Sequence, residues 1–516
     1  MKYLTYSGNN LVNAKLPDSS TIYYPPHVIP GIAPPKISAM VKKAFENPLG
    51  MDPLKEQVGP NSQILIAFDD NCQPFPLMKQ PDFRQLAIET LLEMLDSYGV
   101  KQENIQLMCA VALHRKMKPH ELKYMLGNKI MKEFYPHQLK NFDAEDQNDI
   151  VDLGKTEKGE PVDTTRAVIE SDLVIYIDCI QIPLNGGHKS VAVGFGTYRS
   201  LSHHHSPHMT SETPHVMQPD GSKMHASISR ISQVIEKHNK IMVLEAPMNG
   251  ATYPAPLRFL AKSPKQCNLV ERVLRTATPA SMNLLPESMR RHLFSSIRSC
   301  YRPLGINAGT INAVHGKTLE QIRPQLEVFA PKQYNTLVFG LADLSPYAID
   351  ARINPVLVLS DALGYIFNWF YNKPFIKKDG VAIILNPTYE VFHEEYHVAY
   401  RKFWEEVLPE TTDPFEMRDQ FQDNFAHDPQ LIDCYRHRYA HHGFHPFTVW
   451  YWATYPLKYL SEVILVGPQS DKIAKRLGVS FAPNLEWALG RAKEVTGEDD
   501  VVALTIPPFL YLNVQD

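Results

Sequence analysis

The chemistry in this chain is most concentrated in Asn185-Gly186-Gly187-His188-Lys189. A glycine pair makes a backbone turn that other residues resist, and a lysine just after it keeps an accessible amine. Sixteen residues past Lys189 stands His205, the last of His203-His204-His205, and neutral imidazoles are ready metal ligands. Two earlier signals have the same character. Asp69 and Asp70 open a Pro-bounded loop, Asp69-Asp70-Asn71-Cys72-Gln73-Pro74, and His114-Arg115 follows an apolar run. A carboxylate, an amine and separated imidazoles suit a metal-dependent acid/base site.

Such groups must be carried by elements, and the apolar pattern supplies them. Buried strands are expected at 63–68, 105–113 and 173–177, with a fourth at 240–244. Residues 85–98 have helical spacing in Leu86, Ile88, Leu91, Leu92 and Leu95, and 119–126 reads as a helix start. The same rhythm returns at 336–341, 381–385, 462–466 and 501–506. Strands alternating with helices predict an α/β protein with mainly parallel sheets, whose ligands collect at the C-terminal strand ends. Asp70, His114 and the Gly186-Gly187 turn all fall there. The first sixty residues read as an extended, Pro-rich arm with a short helix at 36–47, and 263–302 as a basic, helix-rich connector. The expected organisation is two α/β domains, 1–290 and 291–516, with the active-site cleft between them.

Bulk properties narrow the class. A net charge of −4 over 516 residues favours neither nucleic acid nor an anionic membrane. No apolar run reaches the length of a membrane span, and the first residues resemble no secretory signal. The six cysteines form no CxxC pair, as expected of a reducing cytoplasm rather than a disulfide scaffold. A homo-oligomer is compatible with all of this.

In order and spacing these motifs resemble the nickel-dependent lactate racemase family. That family has an Asp-x-Thr-Arg-Pro loop, a His-Arg pair, a Gly-Gly-x-Lys turn and a histidine sixteen residues past the lysine. Here these read Asp70 to Pro74, His114-Arg115, Gly186-Gly187-His188-Lys189 and His205. The resemblance implies an isomerase, a racemase or epimerase of a 2-hydroxy acid or related sugar acid. Its cofactor would be a nickel pincer nucleotide (a pyridinium-thioamide-thiocarboxylate mononucleotide) joined to Lys189, with His205 on nickel and His114 as acid/base. Asp70 joins Lys189 and His114 in the catalytic set, while Gly186, Gly187, Asp70 and Arg115 would contact the cofactor. Cofactor-biosynthesis proteins are implied partners beside the small hydroxy acid.

The departures fall on substrate handling. The family's substrate-facing arginine is Gln73, its second catalytic histidine falls at Cys179, and a C-terminal-domain lysine falls near Asp361. Gln181 and His188 lie close to the Cys179 position but do not match by spacing. These losses motivate one alternative, a catalytically silent relative. Another is a zinc metallohydrolase, since His393-Glu394-Glu395-Tyr396-His397 matches H-E-x-x-H, with a third ligand from Glu405, Glu406 or Glu410.

Plainer readings stand beside each signal. Lys189 could be a solvated turn lysine, His114 a core histidine, Arg115 a surface charge, and Asp69-Asp70 a cap for the helix near Pro81. His203 and His204 compete with His205. His441-His442-Gly443-Phe444-His445 reads as a second-domain contribution or a structural loop, the aromatic tract 447–459 as packing, and 307–317 as a loop.

Overall fold

The computed structural model describes residues 1–212 and 216–515. Two six-stranded sheets organise it. The first runs in the order Asn307–Gly309, Ile241–Pro247, Leu173–Ile180, Ile64–Asp69, Ile105–Ala110, Leu139–Asn141, parallel except at Asn307–Gly309. The second is wholly parallel: Ser480–Ala482, Glu462–Val466, Ile376–Leu385, Tyr334–Gly340, Val501–Leu504, Thr21–Tyr23. The fold is α/β with mainly parallel sheets.

The central strands explain themselves. Leu173–Ile180 is buried along its whole length, and so is nearly all of Ile64–Asp69, because helices cover both faces of a parallel sheet. Each Ile, Leu or Phe taken fully from water there stabilises the fold by about 1.5–3 kcal/mol. Asp178 and Tyr176, buried in the middle of such a strand, are the exceptions that call for a chemical reason.

Several expectations need correction. The N-terminal arm is folded: Lys2–Ser7 and Asn10–Lys15 form an antiparallel hairpin, and Thr21–Tyr23 completes an edge of the second sheet. The two hairpin strands bury residues such as Tyr3, Leu4 and Leu11, which outweighs the prolines that follow. The expected helix near 36–47 is present at Pro34–Glu46. The segment 307–317 is no loop, since Asn307–Gly309 pairs with Ile241–Pro247 and a helix runs over Ile311–Leu326. The aromatic tract lies on the helices His445–Tyr451 and Thr454–Tyr459. Among the described residues no helix is long and apolar enough to cross a membrane.

The carboxyl ends of both sheets open on one cleft of about 220 Å³. From the first sheet come side chains of the segments that follow Asp69, Ala110 and Ile180; from the second, of those that follow Gly340 and Leu504. Helical segments add Asp361, Tyr365, His445 and Trp452.

Candidate active site

The cleft gathers groups that the sequence scatters. Asp70, Gln73, His114, Gly186, Lys189, His205, Asp361 and His445 all line it. Gly187 does not line it but shapes the turn. Arg115 and Cys179 are not brought to it. Arg115 is buried and paired with both oxygens of Glu121 at 2.9 and 2.5 Å. Cys179 is fully buried in its strand. Neither a cofactor contact by Arg115 nor a substrate contact by Cys179 follows from these positions.

His114 is fixed by Asp70, whose Oδ2 lies 2.8 Å from Nδ1. Burial opposes ionisation of Asp70, but the charge and hydrogen bond of His114, with the Cys72 amide, outweigh it and hold the carboxyl down to about 2. An ionised carboxylate can only accept, so Nδ1 carries the proton and Nε2 is left for the cleft. Asp69 and Asp70 therefore do not cap the next helix; Asp82 does, accepting from the Arg84 amide. The loop before His114 is strained at Ala112, with φ at 47°. The C-terminal half holds it there: Tyr435 Oη donates to the Ala112 carbonyl at 2.8 Å and the His442 amide to that of Leu113 at 3.1 Å.

The glycine pair earns its place sterically. Gly186 and Gly187 have φ of +82° and +61°, and a Cβ would meet Glu245 at 2.6 Å or the His315 ring at 2.9 Å. Buried Glu245 accepts from the Gly187 amide at 2.7 Å and pairs with His315 Nδ1 at 3.0 Å. That brace launches the short helix His188–Gly194 and puts Lys189 at its start. The Lys189 ammonium has no hydrogen-bond or ion-pair partner among the described residues. His188 is engaged elsewhere, with Ser232 and Asn312.

His205 is buried, and its Nδ1 lies 2.6 Å from Nδ1 of His204. Burial and the neighbouring imidazole push His205 well below the usual histidine range, and burial brings His204 down to about 3. Both rings are neutral, so one Nδ1 donates to the other. When His205 is the donor, its Nε2 lone pair is free, which is the form a metal requires. Trp452 packs edge-on against this ring at 5.7 Å. His203 is exposed.

His445 is the member that a motif search reaches only as part of a cluster. Its ring lies 5.1 Å from that of His114, and its Nδ1 is 2.7 Å from Tyr400 Oη. Burial, then His441, holds it well below the usual range. Asp70, Cys72 and His114 also place three donor atoms within 4.8 Å of one another. Burial and the Asp70 charge push the Cys72 thiol up, so it carries a proton toward the carboxylate. Tyr347, Tyr365 and Trp369 complete the cleft without any sequence motif to announce them.

The H-E-x-x-H segment does not form a zinc site. Residues 394–396 form a turn, and the helix starts only at Val398. His393 Nδ1 accepts from the amides of Glu395 and Tyr396. Both nitrogens of His397 are engaged, Nδ1 with Asn354 and Nε2 with the Tyr347 carbonyl.

The lactate racemase N-terminal domain family matches residues 7–216. A lactate racemase from Lactiplantibacillus plantarum is 25% identical over 194 residues, 37% of this chain and 42% of that protein. One from Thermoanaerobacterium thermosaccharolyticum is 22% identical over 170 residues, 32% of this chain and 37% of that protein. The match thus spans about two fifths of the curated relatives' length. In fold the likeness is wider. The lactate racemase apoprotein structure from T. thermosaccharolyticum superposes with a TM-score of 0.64 at 16% identity, covering 100% of both chains. A Thermotoga maritima protein structure gives 0.54 at 14%, covering 94% of this chain and 99% of that one. Residues 7–216 match the lactate racemase N-terminal domain family, and over its whole length the chain is similar in fold to a lactate racemase apoprotein.

Proposed function

We propose that this protein is an isomerase, a racemase or epimerase that inverts a hydroxyl-bearing carbon. The cofactor would be a nickel pincer nucleotide, joined to Lys189 Nζ and with its metal on His205 Nε2. The observation that carries this is the convergence of Asp70, His114, Lys189 and His205 on one cleft, the amine unpaired and the buried imidazole neutral. An unpaired amine suits covalent attachment, and a neutral, braced imidazole suits nickel, so the residues present fit the group.

When bound, the cofactor supplies reversible acceptance of hydride from a carbinol carbon. The protein's own residues handle the proton. His114 Nε2 takes the substrate hydroxyl proton, while Asp70 orients the ring and stabilises the imidazolium that results. His445, facing His114 from the other half of the chain, is the second imidazole available to the same proton, with Cys179 buried out of reach. The strand ends and the aromatic wall restrict water around the reacting carbon. The relatives' name makes a 2-hydroxy acid the first substrate for comparison. Proteins that build the cofactor are partners on this reading, which is that of a cytoplasmic enzyme.

The reading is tested by metal analysis of protein made in a host that synthesises the nucleotide. Nickel near one per chain is expected in the wild type and in His393→Ala, with loss in Lys189→Ala and His205→Ala. Zinc that depends on His393 would overturn it.

A further inference from the structure

The cleft wall from the C-terminal half holds buried polar atoms that the protein itself leaves unpaired. Neither oxygen of Asp361 has a hydrogen-bond partner, although the residue is only 6% exposed. The Ser345 hydroxyl lies near enough to favour the carboxylate but without the geometry of a hydrogen bond. The indole Nε1–H of Trp369, 4% exposed, is also unpaired, as is Gln73 Oε1. Buried polar groups are nearly always satisfied, so orphans lining one cleft mark where ligand atoms belong. Asp361 lies on a turn of π-helix, Ser360–Tyr365, a geometry enriched at functional sites.

The chemistry of the orphans decides what the ligand is. A carboxylate asks for donors and an indole N–H asks for an acceptor. A hydroxyl serves both; a substrate carboxylate can only accept. Among the described residues Lys189 is the one lysine or arginine on the cleft lining, and the proposed function commits it to the cofactor. Two buried guanidiniums of the same half are engaged elsewhere, Arg84 with Asp82 and Arg115 with Glu121. A carboxylate placed here would find no cationic clamp, and once Asp361 ionises, above about pH 7, it would also meet a like charge. The rings of Tyr365 and Trp452 stack at 5.8 Å and 17° beside the same space and offer apolar faces to C–H groups.

We propose that the substrate is an uncharged polyol or sugar, bound by hydroxyls that donate to the Asp361 carboxylate and accept from Trp369 Nε1. This substrate differs from the 2-hydroxy acid implied by the family resemblance. It rests on the proposed function for the reacting carbon, whereas the recognition itself stands on the unpaired atoms.

The test is calorimetric titration of the full chain, with and without cofactor, against a panel of four- to six-carbon alditols and aldoses, their matching aldonates, and both lactates. At least one uncharged member should bind ten-fold or more tightly than its aldonate and than lactate. Asp361→Asn should weaken that binding at least ten-fold, and Trp369→Phe about three-fold or more, both variants keeping wild-type circular dichroism. Tighter binding of an aldonate or lactate, no binding by any uncharged member, or indifference to Asp361→Asn would overturn the proposal. Intact mass separates the two readings. An adduct on Lys189 with carboxylate-selective binding retires the polyol proposal alone. Asp361-dependent polyol binding by protein that never acquires the adduct retires the cofactor reading alone.

Discussion

On the proposed function, the contact between Asp70 and His114 determines which imidazole nitrogen faces the substrate. With Asp70 held ionised at 2.8 Å from Nδ1, the working nitrogen is Nε2. Asp70→Asn keeps a hydrogen bond but removes the charge that stabilises the imidazolium. Turnover should fall on the order of 10²-fold with nickel content unchanged. A variant with wild-type turnover would remove Asp70 from the mechanism. Asp361 makes a different residue-scale prediction. Burial raises its carboxyl to about 7, above its unfolded value of 3.8, so its stabilising influence is complete below 3.8 and is lost as pH rises through 7. Asp361→Asn should therefore stabilise the ligand-free protein at pH 8 by on the order of 2–4 kcal/mol and change little at pH 4. Denaturant unfolding at the two pH values checks this, and equal effects at both would contradict it.

At the scale of elements, the turn at Gly186-Gly187 depends on conformations that other residues rarely adopt. Gly187→Ala forces a side chain into the left-handed region and against the His315 ring, 2.9 Å away. The expected loss is about 1–3 kcal/mol, with lower nickel incorporation because Lys189 is displaced. Thermal unfolding and metal analysis report the two effects, and His315→Ala in the same chain should recover part of both. A fully stable, fully loaded Gly187→Ala would show that the turn is not what positions Lys189. These elements also show what can be read in a sequence. Strands such as Ile64–Asp69 and Leu173–Ile180 are legible because burial on both faces leaves an unbroken apolar run. The hairpin Lys2–Ser7 with Asn10–Lys15 is not, because its partner surface lies hundreds of residues away and the prolines after it suggest an arm. His393 to His397 fails as a helix because the local amides close onto His393 instead. The π turn that presents Asp361 is set by packing, which no spacing rule records.

Across the whole molecule, two parallel sheets turn their carboxyl ends toward one cleft, and the halves are tied through the strained loop before His114. Asp70, His114 and Lys189 are legible because each follows a strand or a glycine turn, and His205 because it stands sixteen residues past Lys189. Tyr347, Trp369 and His445 become site residues only when the second half folds against the first. That contact buries His397, His441 and His445 as neutral rings, His397 at about 4 and the others well below the usual range, mainly through burial. Folded values below the unfolded 6.5 mean their stabilising influence is complete above 6.5 and is lost as pH falls toward those values. Unfolding free energy should drop below pH 6.5 by about 1.4 kcal/mol per pH unit for each histidine, partly offset by Asp361. Chemical denaturation between pH 7.5 and 4.5 would show it; a flat profile would mean that these rings are already charged in the fold.

The central claim is that Lys189 carries the cofactor. Intact mass followed by peptide mapping, on protein made in a host that synthesises the pincer nucleotide, tests it most directly. The account predicts a covalent adduct confined to the peptide containing Lys189, with nickel near one per chain. Unmodified Lys189 in protein from that host would contradict it.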